Sequence, residues 1–135
     1  DTKIIESLKF VQNETKKNNK LNFQLLFNYG SQQKIVETAC LLKQNNLEIN
    51  IENFKNTLDP YNLGYLDLII RTSNEQRLSN FMLFEATYAE FIFSKKYWPE
   101  YDEIEFVNNL NEFFQRTRKF GGLNNAKKES FKTKN

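Results

Sequence analysis

The stretch that most constrains this chain runs from Asp67 to Glu90. It opens on an apolar run, Leu66, Leu68, Ile69 and Ile70, that ends at Arg71. A short apolar run with β-branched residues at its end predicts a strand of a parallel sheet, covered by helices on both faces. Such a strand delivers Arg71 to its carboxyl edge, where open α/β sheets place their ligands. Beyond it Glu75, Arg77 and Ser79 stand two residues apart, with Leu78 among the residues between. Extended backbone would put all three polar side chains on one side. Ser79 and Asn80 are both good N-caps, and Phe81, Met82, Leu83 and Phe84 behind them predict a helix start. Two arginines, a hydroxyl and a helix N-terminus at one sheet edge make an anion site, most naturally for a phosphate or diphosphate.

The rest of the chain alternates between helical and extended patterns. Ile4, Ile5, Leu8 and Val11 recur at helical spacing, giving an amphipathic helix over residues 2–19. Leu21, Phe23, Leu25 and Phe27 alternate, which predicts a strand covered on at least one face. A helix then starts at Gly30 or Ser31 and carries Ile35, Val36, Ala39, Cys40 and Leu42 to Asn45, with Cys40 packed on its apolar face. A short helix over 51–58 closes at Asp59-Pro60. Residues 81–88 read as a short helix and 89–93 as a strand. Residues 102–119 read as a helix with acids at its start, bases at its end and Gly121-Gly122 as its stop. The alternation makes an α/β layer. Three strands are few for a sheet covered on both faces, so the chain reads as part of a larger one.

Composition narrows the function. At 135 residues the chain is one domain at most, and it begins at Asp1, as a fragment would. A lone cysteine, Cys40, rules out an internal disulfide and suits a reducing compartment such as the cytoplasm. With no histidine, proton transfer or metal binding would fall to carboxylates, amides, hydroxyls or water. The thirteen Phe residues read mainly as core. Formal charge is +2, unevenly spread: seven Lys or Arg face one acid from Gln115 onward, a local +6 that leaves −4 elsewhere. That basic end suits peripheral contact with an anionic membrane surface. It lacks the aromatic interleaving of a nucleic-acid surface, so nucleic acid is not an expected partner.

The central stretch also resembles the signature of the cis-prenyltransferases, the undecaprenyl diphosphate synthase family. That pattern is a strand ending Asp-Leu-x-Ile-Arg-Thr, a Gly-Gly-Glu-x-Arg-x-Ser-Asn-Phe loop, and a helix running into Tyr-Ala-Glu. Here these are Asp67 to Thr72, Glu75 to Phe81, and Tyr88-Ala89-Glu90. Asn28-Tyr29-Gly30, Trp98-Pro99 and Arg116-x-Arg118-x-Phe120-Gly121-Gly122 extend the likeness over nearly the whole chain.

The resemblance implies the C-terminal part of the family's mostly parallel sheet flanked by helices, over residues 1–122; the polar, basic composition of 123–135 reads as a disordered tail. It implies that Arg71, Arg77, Ser79 and the backbone around Leu78 grip the diphosphate of isopentenyl diphosphate, with Glu75 orienting Arg77. Glu90 corresponds to a glutamate that helps hold Mg²⁺. The reaction implied condenses isopentenyl diphosphate with an allylic diphosphate such as farnesyl diphosphate, in a homodimer. The family's Asp-Gly-Asn-x-Arg-Trp and Phe-Ser-x-Glu-Asn-Trp segments do not occur in these 135 residues. Within the matched part, Ser73-Asn74 replaces Gly-Gly, Ser31-Gln32 replaces Gly-Arg, and Lys119 stands where Arg precedes Phe-Gly-Gly. A non-catalytic accessory or dimerising subunit of the same fold is the alternative reading.

Overall fold

The computed structural model describes residues 2–117. Four α-helices, α1 (Thr2–Thr15), α2 (Ser31–Gln44), α3 (Ile51–Leu58) and α4 (Glu103–Gln115), flank two strands, β1 (Leu68–Arg71) and β2 (Glu90–Phe93). Short 3₁₀ turns form at Glu85–Tyr88 and Trp98–Glu100. The strands pair in parallel, with Leu68 opposite Glu90 and Arg71 opposite Phe93. Parallel strands require a crossover, and the 18 residues from Thr72 to Ala89 supply it without an α-helix. The fold is therefore α/β with a small parallel sheet, as expected.

Local chemistry sets the helix starts. The Asn50 side chain accepts the Asn53 N–H at 2.8 Å and so caps α3. Asp102 does the same for α4 through the Glu105 N–H, also at 2.8 Å. α2 packs on α3, and α4 on β2. Leu42, Leu58, Ala86 and Ile92 are the buried apolar side chains among the described residues.

Several expectations are corrected. Residues 21–27 form no strand, and Leu21, Phe23 and Phe27 are 80%, 81% and 83% exposed. A strand is stable only where a neighbour takes up its N–H and C=O groups, and none of the described residues pairs with this segment. The sheet thus has two strands, and β1 is half-buried because its faces are only partly covered. Cys40 is exposed: α2 buries Ser31, Thr38 and Leu42, a face rotated away from it. Many of the described Phe side chains, including Phe10, Phe106 and Phe114, lie at the surface for want of a facing layer. α4 ends at Gln115, before the glycine pair, because Arg116 turns to extended backbone (φ −74°, ψ 146°). The basic tail, with Arg118, Lys119 and Gly121-Gly122, lies outside the described residues.

Candidate anion site

Arg71 closes β1, so backbone pairing fixes where its side chain leaves the sheet. It makes no ion pair among the described residues. The loop that follows is tied to the loop after β2. Ser73 N–H donates to the Lys96 carbonyl at 2.7 Å, and Asn74 N–H to the Ser94 carbonyl at 2.9 Å. Ser94 N–H donates to the Arg71 carbonyl at 2.8 Å. The buried Ser94 hydroxyl donates to Glu105 of α4 at 2.8 Å and accepts the Lys96 N–H at 3.2 Å. The two loops at the carboxyl edge are thus one hydrogen-bonded unit, anchored to α4.

Ser73 and Asn74 both adopt left-handed backbone, with φ of 65° and 54°. This is the conformation that a Gly-Gly pair takes without cost, and Asn bears it better than Ser. Beyond them Glu75 and Arg77 form an ion pair, with the Arg77 side chain 63% exposed and its charge open to a ligand. The paired carboxylate holds the guanidinium over its own loop.

Ser79 and Asn80 do not start a helix. Ser79, Asn80 and Met82 have φ of 49°, 62° and 43°, a run of left-handed residues that no right-handed helix can contain. The 3₁₀ turn begins only at Glu85. Asn80 caps a different helix, the one that starts at Ser31. Its backbone carbonyl accepts the Ser31 N–H and its side-chain Oδ1 accepts the Gln32 N–H, each at 2.8 Å. The helix N-terminus next to this loop is therefore that of α2, and Asn80 fills its first two N–H groups. Ser31, fully buried, returns the contact through Oγ, which accepts the Leu83 N–H at 2.9 Å. Local sequence identifies Asn80 as a capping residue but cannot say that its helix begins 49 residues earlier.

Glu90 lies apart from this edge. It opens β2 opposite Leu68, three rows from Arg71, which is about 10 Å along a strand. Arg116 donates to its carboxylate at 3.0 Å and to the Phe91 carbonyl at 2.9 Å, and it also binds Glu112. Glu112 and then Glu90 hold the Arg116 charge more firmly than usual. Among the described residues no three acidic, cysteine or histidine side chains group as metal ligands.

Beneath the loop a cavity of about 760 Å³ is lined by Phe23, Leu25, Tyr65, Phe81, Tyr29 and Glu85. The Tyr29 hydroxyl and one Glu85 oxygen are buried there without a hydrogen-bond partner of good geometry. Burial, and secondarily the Glu85 charge, pushes the Tyr29 phenol above its ordinary pKa.

The family model described as "Putative undecaprenyl diphosphate synthase" matches residues 1–121. An isoprenyl transferase of Leptospira interrogans is 36% identical over 131 residues, 91% of this chain and 54% of the relative. A ditrans,polycis-undecaprenyl-diphosphate synthase specific for (2E,6E)-farnesyl diphosphate, from Haemophilus influenzae, is 37% identical over 87% of this chain and 52% of its own length. Among solved structures, a probable undecaprenyl diphosphate synthase from Campylobacter jejuni superposes with a TM-score of 0.80 at 34% identity, over 90% of this chain and 58% of that one. The lavandulyl diphosphate synthase of Lavandula x intermedia, in complex with dimethylallyl diphosphate, gives 0.82 at 27% identity, over 90% and 56%. The chain spans about half the length of the curated relatives it matches. With the match running from the first residue to Gly121, the chain belongs to the undecaprenyl diphosphate synthase family of prenyltransferases.

Proposed function

We propose that this chain supplies the isopentenyl-diphosphate-binding part of an enzyme that extends an allylic diphosphate, most simply farnesyl diphosphate, into a long polyprenyl diphosphate. The observation that carries the reading is the cationic loop at the carboxyl edge of β1. There Arg71 has no ion-pair partner among the described residues, and Arg77 is held by Glu75 on a backbone fastened at both ends. Both guanidinium groups suit a diphosphate, because a planar fork donates two parallel hydrogen bonds to its oxygens. The exposed Ser79 hydroxyl and the backbone beside Leu78 complete the grip.

In the reaction the isopentenyl double bond attacks the allylic carbon, the allylic diphosphate departs, and a proton is lost to leave a Z double bond. The arginines hold the nucleophilic substrate by the end that does not react, which lowers the entropy cost of meeting the allylic carbon. Glu75 steers Arg77. Mg²⁺ would neutralise charge on the departing diphosphate when bound. The described residues do not make a site for it by themselves: Glu90 offers one carboxylate, and Arg116 occupies it. The enzyme works as a homodimer in peripheral contact with membrane, and no helix of the described residues is long and apolar enough to cross one.

The test is an assay with isopentenyl diphosphate, farnesyl diphosphate and Mg²⁺, on the chain alone and mixed with the N-terminal part of a full-length relative. Activity that appears on mixing and disappears with Arg77→Ala supports the reading. A chain that folds and pairs yet stays inactive in both points to an accessory subunit instead.

A further inference from the structure

The loop that carries Arg77 and Ser79 and the start of α2 are joined by four features that converge on one residue pair. Asn80 accepts both of the first two N–H groups of α2, and Ser31 accepts the Leu83 N–H. The Tyr29 and Phe81 rings meet edge to face at 5.8 Å. A Cβ built on Gly30 would lie 2.9 Å from the Asn80 Nδ2, so the glycine leaves room for the Asn80 amide and nothing larger. Neither Asn80 nor Ser31 belongs to the set of groups assigned to the diphosphate.

We propose that Asn80 and Ser31 are the positioning residues of the diphosphate loop, and that they act by locking it to the N-terminus of α2. The inference rests on the reading of Arg77 and Ser79 as diphosphate ligands. An arginine on a free loop spends binding energy on being ordered; one on a locked loop does not. Ser79 is held immediately beside the lock, since the backbone of Asn80 is bonded to Ser31. Ser31 stands where the family pattern has glycine, so this chain has an anchor at that point that a glycine could not give.

The experiment uses the whole chain, mixed with the N-terminal part of a full-length relative where turnover is read, and inorganic diphosphate as the probe. Binding is read by calorimetry, exchange of the Gln32 and Leu83 amides by mass spectrometry and NMR, and folding by the thermal midpoint. The variants are Asn80→Gly, which keeps φ at 62° accessible while removing the side-chain acceptor, Ser31→Gly, Gly30→Ala and, as reference, Arg77→Ala. The expected result is roughly tenfold weaker diphosphate binding for Asn80→Gly, a smaller loss for Ser31→Gly, and faster exchange at Gln32 and Leu83 respectively. Gly30→Ala, which alters neither partner, should also weaken binding by displacing the Asn80 amide. In the full reaction these changes should raise KM for isopentenyl diphosphate with kcat nearly unchanged. Wild-type affinity in Asn80→Gly and Ser31→Gly, with Arg77→Ala impaired, overturns the lock. Wild-type affinity in Arg77→Ala overturns the site reading beneath it.

Discussion

Replacing Arg77 by alanine does two things, and the structure separates them. It removes a guanidinium proposed to hold the diphosphate, where charge-assisted hydrogen bonds to phosphate would be worth roughly 1.5–3 kcal/mol. Because that side chain is 63% exposed, water screens it, and the lower part of the range applies, about 1.5–2 kcal/mol. At ~1.4 kcal/mol per factor of ten this is a 10- to 30-fold rise in KM for isopentenyl diphosphate. It also strips Glu75 of its partner and leaves a bare carboxylate on the anion's own loop. A unit charge at ~8 Å in water repels another by about 0.5 kcal/mol, and the diphosphate carries more than one, so a further two- to fivefold follows. The double variant Arg77→Ala/Glu75→Gln should therefore bind better than Arg77→Ala alone, an interaction that a double-mutant cycle isolates. Steady-state kinetics on the chain mixed with the N-terminal part of a full-length relative, at two ionic strengths, is the assay, since the repulsive part should shrink with salt. A single variant within twofold of wild type, or a double variant worse than the single, would refute the reasoning.

Three further outcomes are expected. Leu42→Ala, at a fully buried position of α2, should cost about 2–4 kcal/mol in urea unfolding, and a cost under about 1 kcal/mol would mean that this face of α2 is not packed in solution. Ser94→Ala should cost about 1–2 kcal/mol, because it leaves the partly buried Lys96 N–H and a Glu105 oxygen unpaired; an unchanged midpoint would deny that this hydroxyl fastens the loops. Asp102 is held below its ordinary pKa first by the Glu105 N–H and then by Lys96. A depressed folded value means that its charge stabilises the fold above the ordinary carboxylate range, and that this is lost as pH falls through the folded value. The thermal midpoint of Asp102→Asn should therefore lie below wild type at pH 7 and approach it near pH 3, and a gap that does not change with pH would contradict this.

Elements governed by neighbours in sequence were legible. α3 runs over residues 51–58, which its pattern and the closing Asp59-Pro60 predict, and β2 differs from expectation by one residue. Where partners lie far away the pattern misled. The alternation of Leu21, Phe23, Leu25 and Phe27 is a necessary property of a strand, but pairing makes the strand, and no described residue pairs there. Asn80 carried a true capping signal and the local rule assigned it to the wrong helix. Glu90 illustrates the same limit for charge, since its partner Arg116 is 26 residues away and follows the end of α4. The carboxyl-edge position of Arg71, by contrast, follows from the apolar run alone, and the left-handed Ser73-Asn74 pair occupies the place where the family pattern has two glycines.

The lock between Ser31 and the 80–83 loop also bears on the order in which the molecule assembles. Its two sides are about fifty residues apart, whereas the helical contacts within 31–58 are local. Chain closure over that span must be met before any of its hydrogen bonds forms, so helices α2 and α3 should pair early and the 73–83 loop should settle late. What forms last with few buried apolar contacts is also what opens first. Sub-global opening of the 73–83 loop, seen as exchange below the protection of α2, should then cost less than global unfolding, and bound diphosphate should suppress it.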